Sequence, residues 1–185
     1  MNITRWLLFA AVTALSSTPG FASDYDRFVG EFTGMFIPVD AEKGEVRDLG
    51  VTIREINNGI NISWVTTTFD DDAQKTKKYS IDFLETEREN ILKAAQRKNL
   101  FGGRDPLDPM KGEPFAWARI NNETLSVYVM LITDDGGYEL QTYDRTLTQN
   151  GDLVTQYSRI RNGALIRALK ATLNRQSTEK PEKNK

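Results

Sequence analysis

Four arginines, Arg119, Arg145, Arg159 and Arg161, fall on segments that read as late β-strands. A guanidinium fork grips a carboxylate or phosphate through two parallel hydrogen bonds. Such side chains can hold a ligand's acid group at the mouth of a container. The same side chains also serve to close the end of a barrel, or simply face solvent as most arginines do. Carboxylates offer less. Asp70-Asp71-Asp72 and Asp134-Asp135-Gly136-Gly137 look like solvated turns. Three adjacent acids in a tight turn do not supply the roughly six to eight oxygens that calcium takes. Glu139 and Asp144 share one predicted strand, but an odd spacing points them to opposite faces. No other acid pair is placed by spacing for glycosidase-type work.

Histidine and cysteine are both absent. That excludes Ser-His-Asp and Cys-His nucleophiles, imidazole acid–base chemistry and zinc sites of the usual nitrogen and sulfur kind. It also excludes haem held through His or Cys, and any disulfide. The expectation is a protein that is not an enzyme and carries no metal or cofactor.

The remaining chemical signal is a set of rings. In Phe28-Val29-Gly30-Glu31-Phe32-Thr33-Gly34-Met35-Phe36-Ile37, aromatic residues and glycines share one face of a strand. Phe28, Phe32 and Phe36 then point inward, and Gly30 and Gly34 let the strand curl. Trp64, Phe115, Trp117, Tyr128, Tyr143 and Tyr157 lie on further predicted strands. Together these nine are the candidate liners of an apolar interior, although a single buried ring is more often plain packing.

The elements that must position these residues are almost all strands. Leu49–Ile56 and Ile60–Phe69 flank the hairpin signal Asn57-Asn58-Gly59. Lys75–Thr86 follows, then Asn90–Gln96, which fits a strand or a helical turn. Pro114–Ile120, Thr124–Thr133, Tyr138–Gln149 and Leu153–Arg161 are joined by short loops of Asn, Asp and Gly. About eight or nine evenly spaced antiparallel strands argue for an up-and-down β-barrel, or a sandwich, in an all-β fold. Closure is favoured because it removes exposed edges. The stretch 97–113, with Gly102, Gly103, Pro106, Pro109 and Gly112, is a long loop, either a lid or an outer insertion. In Ala164–Arg175, Leu165, Ile166, Leu169 and Leu173 fall at helical spacing behind a plausible N-cap, Asn162. One C-terminal amphipathic α-helix is expected there.

Residues 1–22 read as a signal peptide. Arg5 precedes the apolar run Trp6–Leu15, and Gly20 and Ala22 suit cleavage after Ala22. The run is too short to span a bilayer. Residues 23–175 then form a single domain, and 176–185 a disordered tail. Cleavage leaves 23 Lys and Arg against 26 Asp and Glu. A balance near −3 gives no electrostatic case for nucleic acid. A periplasmic or secreted bacterial protein is expected, with no transmembrane segment after cleavage and no assigned protein partner.

Phe28–Gly34 resembles the first-strand motif of the calycins, the lipocalin-like barrels, in which a glycine precedes an aromatic residue, usually tryptophan. Gly30 and Phe32 stand at those positions, with Phe32 departing from tryptophan. The family also packs an arginine of the last barrel strand over that ring, and Arg159 or Arg161 is the expected counterpart. The resemblance implies a barrel that takes a small apolar or amphipathic ligand. The alternative is a solid barrel serving as a non-enzymatic interaction or structural module of the envelope.

Overall fold

The computed structural model describes residues 24–36, 47–70, 73–95, 97–98, 104–105 and 107–177. The expected signal peptide, Asp71 and Asp72, part of the long loop and the end of the tail lie outside these residues.

The strands are β1 (Gly30–Phe36), β2 (Arg47–Ile56), β3 (Gly59–Asp70), β4 (Ala73–Glu85), β5 (Ile91–Ala94), β6 (Arg97–Lys98), β7 (Arg104–Asp105), β8 (Phe115–Asn121), β9 (Thr124–Ile132), β10 (Tyr138–Leu147), β11 (Leu153–Arg161) and β12 (Ala164–Arg175). Ten of them close an antiparallel barrel in the order β1-β12-β11-β10-β9-β8-β5-β4-β3-β2, and β2 returns to β1. The short β6 and β7 pair only with each other.

Two expectations are corrected. The barrel has ten strands rather than eight or nine, and 164–175 is its closing strand rather than a helix. Asn162 and Gly163, at φ 48° and 83°, make a two-residue hairpin turn instead of an N-cap. Beyond it Leu169, Ala171 and Leu173 alternate inward against Tyr157, Thr155 and Leu153 of β11, while Leu165 and Ile166 are exposed. Helical spacing and alternation coincide at 169 and 173. The vacant edge of β11 decides between them, because a strand pairs that edge and a helix does not.

Because neighbours are antiparallel, the hairpins fall into two sets. The β2–β3, β4–β5, β8–β9 and β10–β11 turns surround one end, which is filled. Phe32, Ile53, Ile60, Ile62, Phe83, Leu125, Leu153 and Leu173 are fully buried there. A 3₁₀ turn (Asp26–Phe28) seals that end with the buried Phe28, which precedes β1 rather than lying on it. Tyr25 Oη donates to Glu85 Oε1 at 2.8 Å, and Arg27 donates to Glu123 Oε1 at 3.0 Å and to the Asn122 carbonyl.

The seam between β1 and β12 explains the glycines of β1. A Cβ on Gly34 would stand 2.3 Å from the Thr172 carbonyl oxygen, and one on Gly30 2.4 Å from Arg175 Nη1. Arg175 Cζ lies 4.5 Å from the centre of the Phe32 ring. Its guanidinium donates to the carbonyls of Gly151 at 2.9 Å, Val29 at 2.6 Å and Arg27 at 3.0 Å. Neither Arg159 nor Arg161 reaches Phe32. Both sit at the opposite end of β11, and the arginine over the first-strand ring belongs to β12.

Gly34→Ala is expected to lose about 3 kcal/mol through this backbone collision. Arg175→Met should lose a similar amount, about 3 kcal/mol, and Arg175→Lys should recover under half of it, since an ammonium cannot serve three carbonyls in one plane. Urea denaturation of the three variants checks both figures.

Candidate functional site

The other end of the barrel is hollow. A cavity of ≈ 460 Å³ opens among β2, β3, β4, β10, β11 and β12. Strand alternation sorts its walls into tiers. Uppermost are Arg47, Thr68, Lys75, Arg159 and Arg167, with Lys77 one step down, level with Thr66 and Leu49. Below them Leu49, Val51, Trp64, Tyr79, Tyr143, Tyr157 and Leu169 form an aromatic and apolar waist. Arg145, Thr155, Ala171 and Leu173 make the floor.

The waist is a chain of rings. Trp64 stacks on Tyr79 with centroids 5.4 Å apart, and lies 5.4 Å from Tyr143, which in turn lies 4.9 Å from Tyr157. All four face inward because Trp64 pairs with Tyr79 across β3–β4, and Tyr143 with Tyr157 across β10–β11. Tyr143 donates to Gln141 Oε1 at 2.8 Å, and Gln141 donates to Glu139 Oε1 at 2.7 Å. Burial raises the pKa of both Tyr143 and Tyr157, so each stays a neutral donor.

Near the mouth, Arg159 donates to the buried Glu139 Oε2 at 2.6 Å, and Arg161 lies 3.7 Å from the same oxygen. The Arg159 hydrogen bond holds the Glu139 carboxyl below its ordinary pKa, and Glu139 raises that of Arg159. These two arginines therefore surround an internal carboxylate, with Arg159 also lining the cavity.

Arg145 is different. It is only 2% exposed. Its guanidinium lies 5.6 Å from the Trp64 ring centre and 5.7 Å from that of Tyr143. The Tyr143 carbonyl, at 3.5 Å, accepts a long contact from Nη1, and Nε has no partner. Its sequence neighbour Asp144 faces the outside, where Ser126 donates to it at 2.5 Å. No carboxylate among the described residues pairs with Arg145. Burial pushes its pKa down to about 10, which still leaves it charged at neutral pH. Two rings stabilise it partly, but a desolvated cation without a counter-ion opposes folding.

Of the nine expected liners, Trp64, Tyr143 and Tyr157 meet around this cavity. Phe28 and Phe32 fill the sealed end, and Phe36 packs on the edge of the core. Phe115, Trp117 and Tyr128 are on the outer surface instead. Ala116, Ala118 and Ile120 take the inward positions of β8, while Trp117 and Tyr128 stack outside at 4.8 Å. Arg119 also faces out and is exposed. Sequence reasoning missed Arg47, Lys75, Lys77, Tyr79 and Arg167. Alternation along Lys75, Lys77 and Tyr79 was the available signal.

Among the described residues no group of acids suits a metal ion, and no helix is long and apolar enough to cross a membrane. Comparison with family models, curated proteins and solved structures returned no match for this chain.

Replacing Arg145 by Met keeps the volume and removes the unpaired charge. The variant is expected to gain about 1–2 kcal/mol in urea denaturation; a loss of that size would mean that Arg145 supports the fold. Glu139 gives a pH dependence of definite sign. Its folded pKa is depressed, so its contribution is complete above the ordinary glutamate value of 4.5 and is lost as pH falls through the lowered value. Glu139→Gln should therefore cost about 1 kcal/mol at pH 7, with the gap to the parent closing in acid, as read by melting temperature against pH.

Proposed function

We propose that this is a lipocalin-like binding protein of the periplasm or extracellular space, which holds a small amphipathic molecule inside the barrel without transforming it. The observation that carries the reading is the ring-walled cavity of ≈ 460 Å³ above a filled barrel base. A concave site of a few hundred Å³ with an apolar wall and a few polar groups is the usual form of a small-molecule pocket. Trp64, Tyr79, Tyr143 and Tyr157 supply the apolar wall, and the cations above and below supply the polar groups. Burying about 300 Å² of apolar ligand surface is worth roughly 7 kcal/mol before the costs of association.

Gly30, Phe32 and the arginine over its ring support the lipocalin-like assignment. The arginine is Arg175 of the last strand, the place the resemblance leads one to expect. The alternative of a solid structural barrel accounts for the filled half alone. It leaves the ring-walled half and the buried Arg145 without a role.

The test uses mature protein carrying Trp117→Phe, so that Trp64 is the emitting indole. Titration with dodecanoate is expected to change Trp64 emission saturably, at a Kd in the micromolar range. Trp64→Leu should weaken binding about tenfold in calorimetry, through loss of the ring wall. Native mass spectrometry showing no uptake of dodecanoate or of phospholipid would defeat the reading.

A further inference from the structure

The cavity has cations at two depths, and their separation limits what can satisfy them. Arg145 pairs in register with Thr155 on β11, and Arg159 is four residues further along that strand, itself level with Arg167 of β12. Four strand residues span about 13 Å. A single carboxylate or phosphate cannot reach both tiers. Between them lies the ring belt of Trp64, Tyr143 and Tyr157, which offers no cation.

The demand at each depth is separate. At the floor, Arg145 is buried with its Nε unpartnered, and among the described residues no acid pairs with it, Asp144 being turned to the outer face. At the mouth, Glu139 already engages Arg159 and Arg161, while Lys75, Lys77 and Arg167 line the opening on β4 and β12 with their side chains exposed. Among the described residues, no Asp or Glu lines the cavity.

We propose that the ligand is an anion at both ends: an apolar or aromatic body lying along the ring belt, one acid group seated on Arg145 at the floor, and a second held by Lys75, Lys77 and Arg167 at the mouth. This rests on the binding function proposed above and specifies its ligand class. The two contacts have unequal weight. The floor pair forms in a water-poor site, where a charge-assisted hydrogen bond is strong. The mouth pair forms among solvated side chains, adds little and is screened by salt.

Isothermal titration of mature protein with dodecanedioate, dodecanoate and dodecanol separates the parts, since the extended dodecanedioate chain spans about the distance between the tiers. Dodecanoate is expected to bind about tenfold tighter than dodecanol, and dodecanedioate about threefold tighter again at low salt. The second advantage should vanish in about 0.5 M sodium chloride while the first persists. Arg145→Met should bring dodecanoate down to the level of dodecanol. The triple variant Lys75→Gln, Lys77→Gln, Arg167→Gln should erase only the gain of the second carboxylate. Melting temperatures confirm that each variant is folded, and the surface triple variant keeps the test alive if Arg145→Met is not. Dodecanol binding as tightly as the acids, or dodecanedioate binding no tighter than dodecanoate at low salt, overturns the two-headed ligand and leaves the binding function standing. Binding of none of the three overturns both.

Discussion

A ten-stranded sheet becomes a container only if its first and last strands meet, and here that meeting depends on one guanidinium. The β1–β12 ladder registers two residue pairs, against nine between β10 and β11. So short a ladder is a weak seam. Arg175 strengthens it by linking the seam to Gly151, Val29 and Arg27 while lying over Phe32. Gln176 adds a bond from its backbone N–H to Glu31 and one from its side chain to Thr33. The bare backbone at Gly30 and Gly34 is the steric condition for this contact, because any side chain there meets Arg175 or Thr172.

Sealing one end makes the hollow of the other tolerable. Phe28, Phe32, Phe83 and the surrounding Ile and Leu side chains form a dry core that carries much of the apolar burial in the protein. With that stability secured, the upper half can leave space unfilled and accept polar walls. A cavity and a buried charge each work against folding. Both are affordable here because they lie on one side of a packed base.

Much of the barrel was legible in the chain. The Asn-Gly and Asp-Gly turns, the alternation of β1 and the run of short strands all predict an antiparallel closed sheet, and of the candidate liners Trp64, Tyr143 and Tyr157 stand around the cavity. The last strand was not legible for a specific reason. Leu165, Ile166, Leu169 and Leu173 satisfy a helical period, yet the Asn162-Gly163 turn and the alternating Leu169, Ala171 and Leu173 satisfy a strand equally well. Only the unpaired edge of β11 separates the two, and that edge is a tertiary fact. The outward facing of Phe115, Trp117 and Tyr128 has a similar origin. Three small or aliphatic residues, Ala116, Ala118 and Ile120, occupy the inside of β8, and ring size alone does not show which face of a strand is the wet one.

The position of Arg145 is where local rules and the fold conflict most sharply. Two residues on, Leu147 packs against the core; two residues before, Tyr143 joins the ring belt. Alternation turns all three inward, so the boundary between the solid and hollow halves falls at Arg145 itself. An apolar side chain there would extend the core by one layer and shorten the cavity from below. A guanidinium instead stands at the floor with an Nε–H that has no partner, in a site where water competes poorly. A buried polar group that lacks a partner is costly to every state that does not supply one. The two-headed anion proposed above would supply that partner from the mouth, past the cations Lys75, Lys77 and Arg167 and between aromatic faces that favour an apolar body.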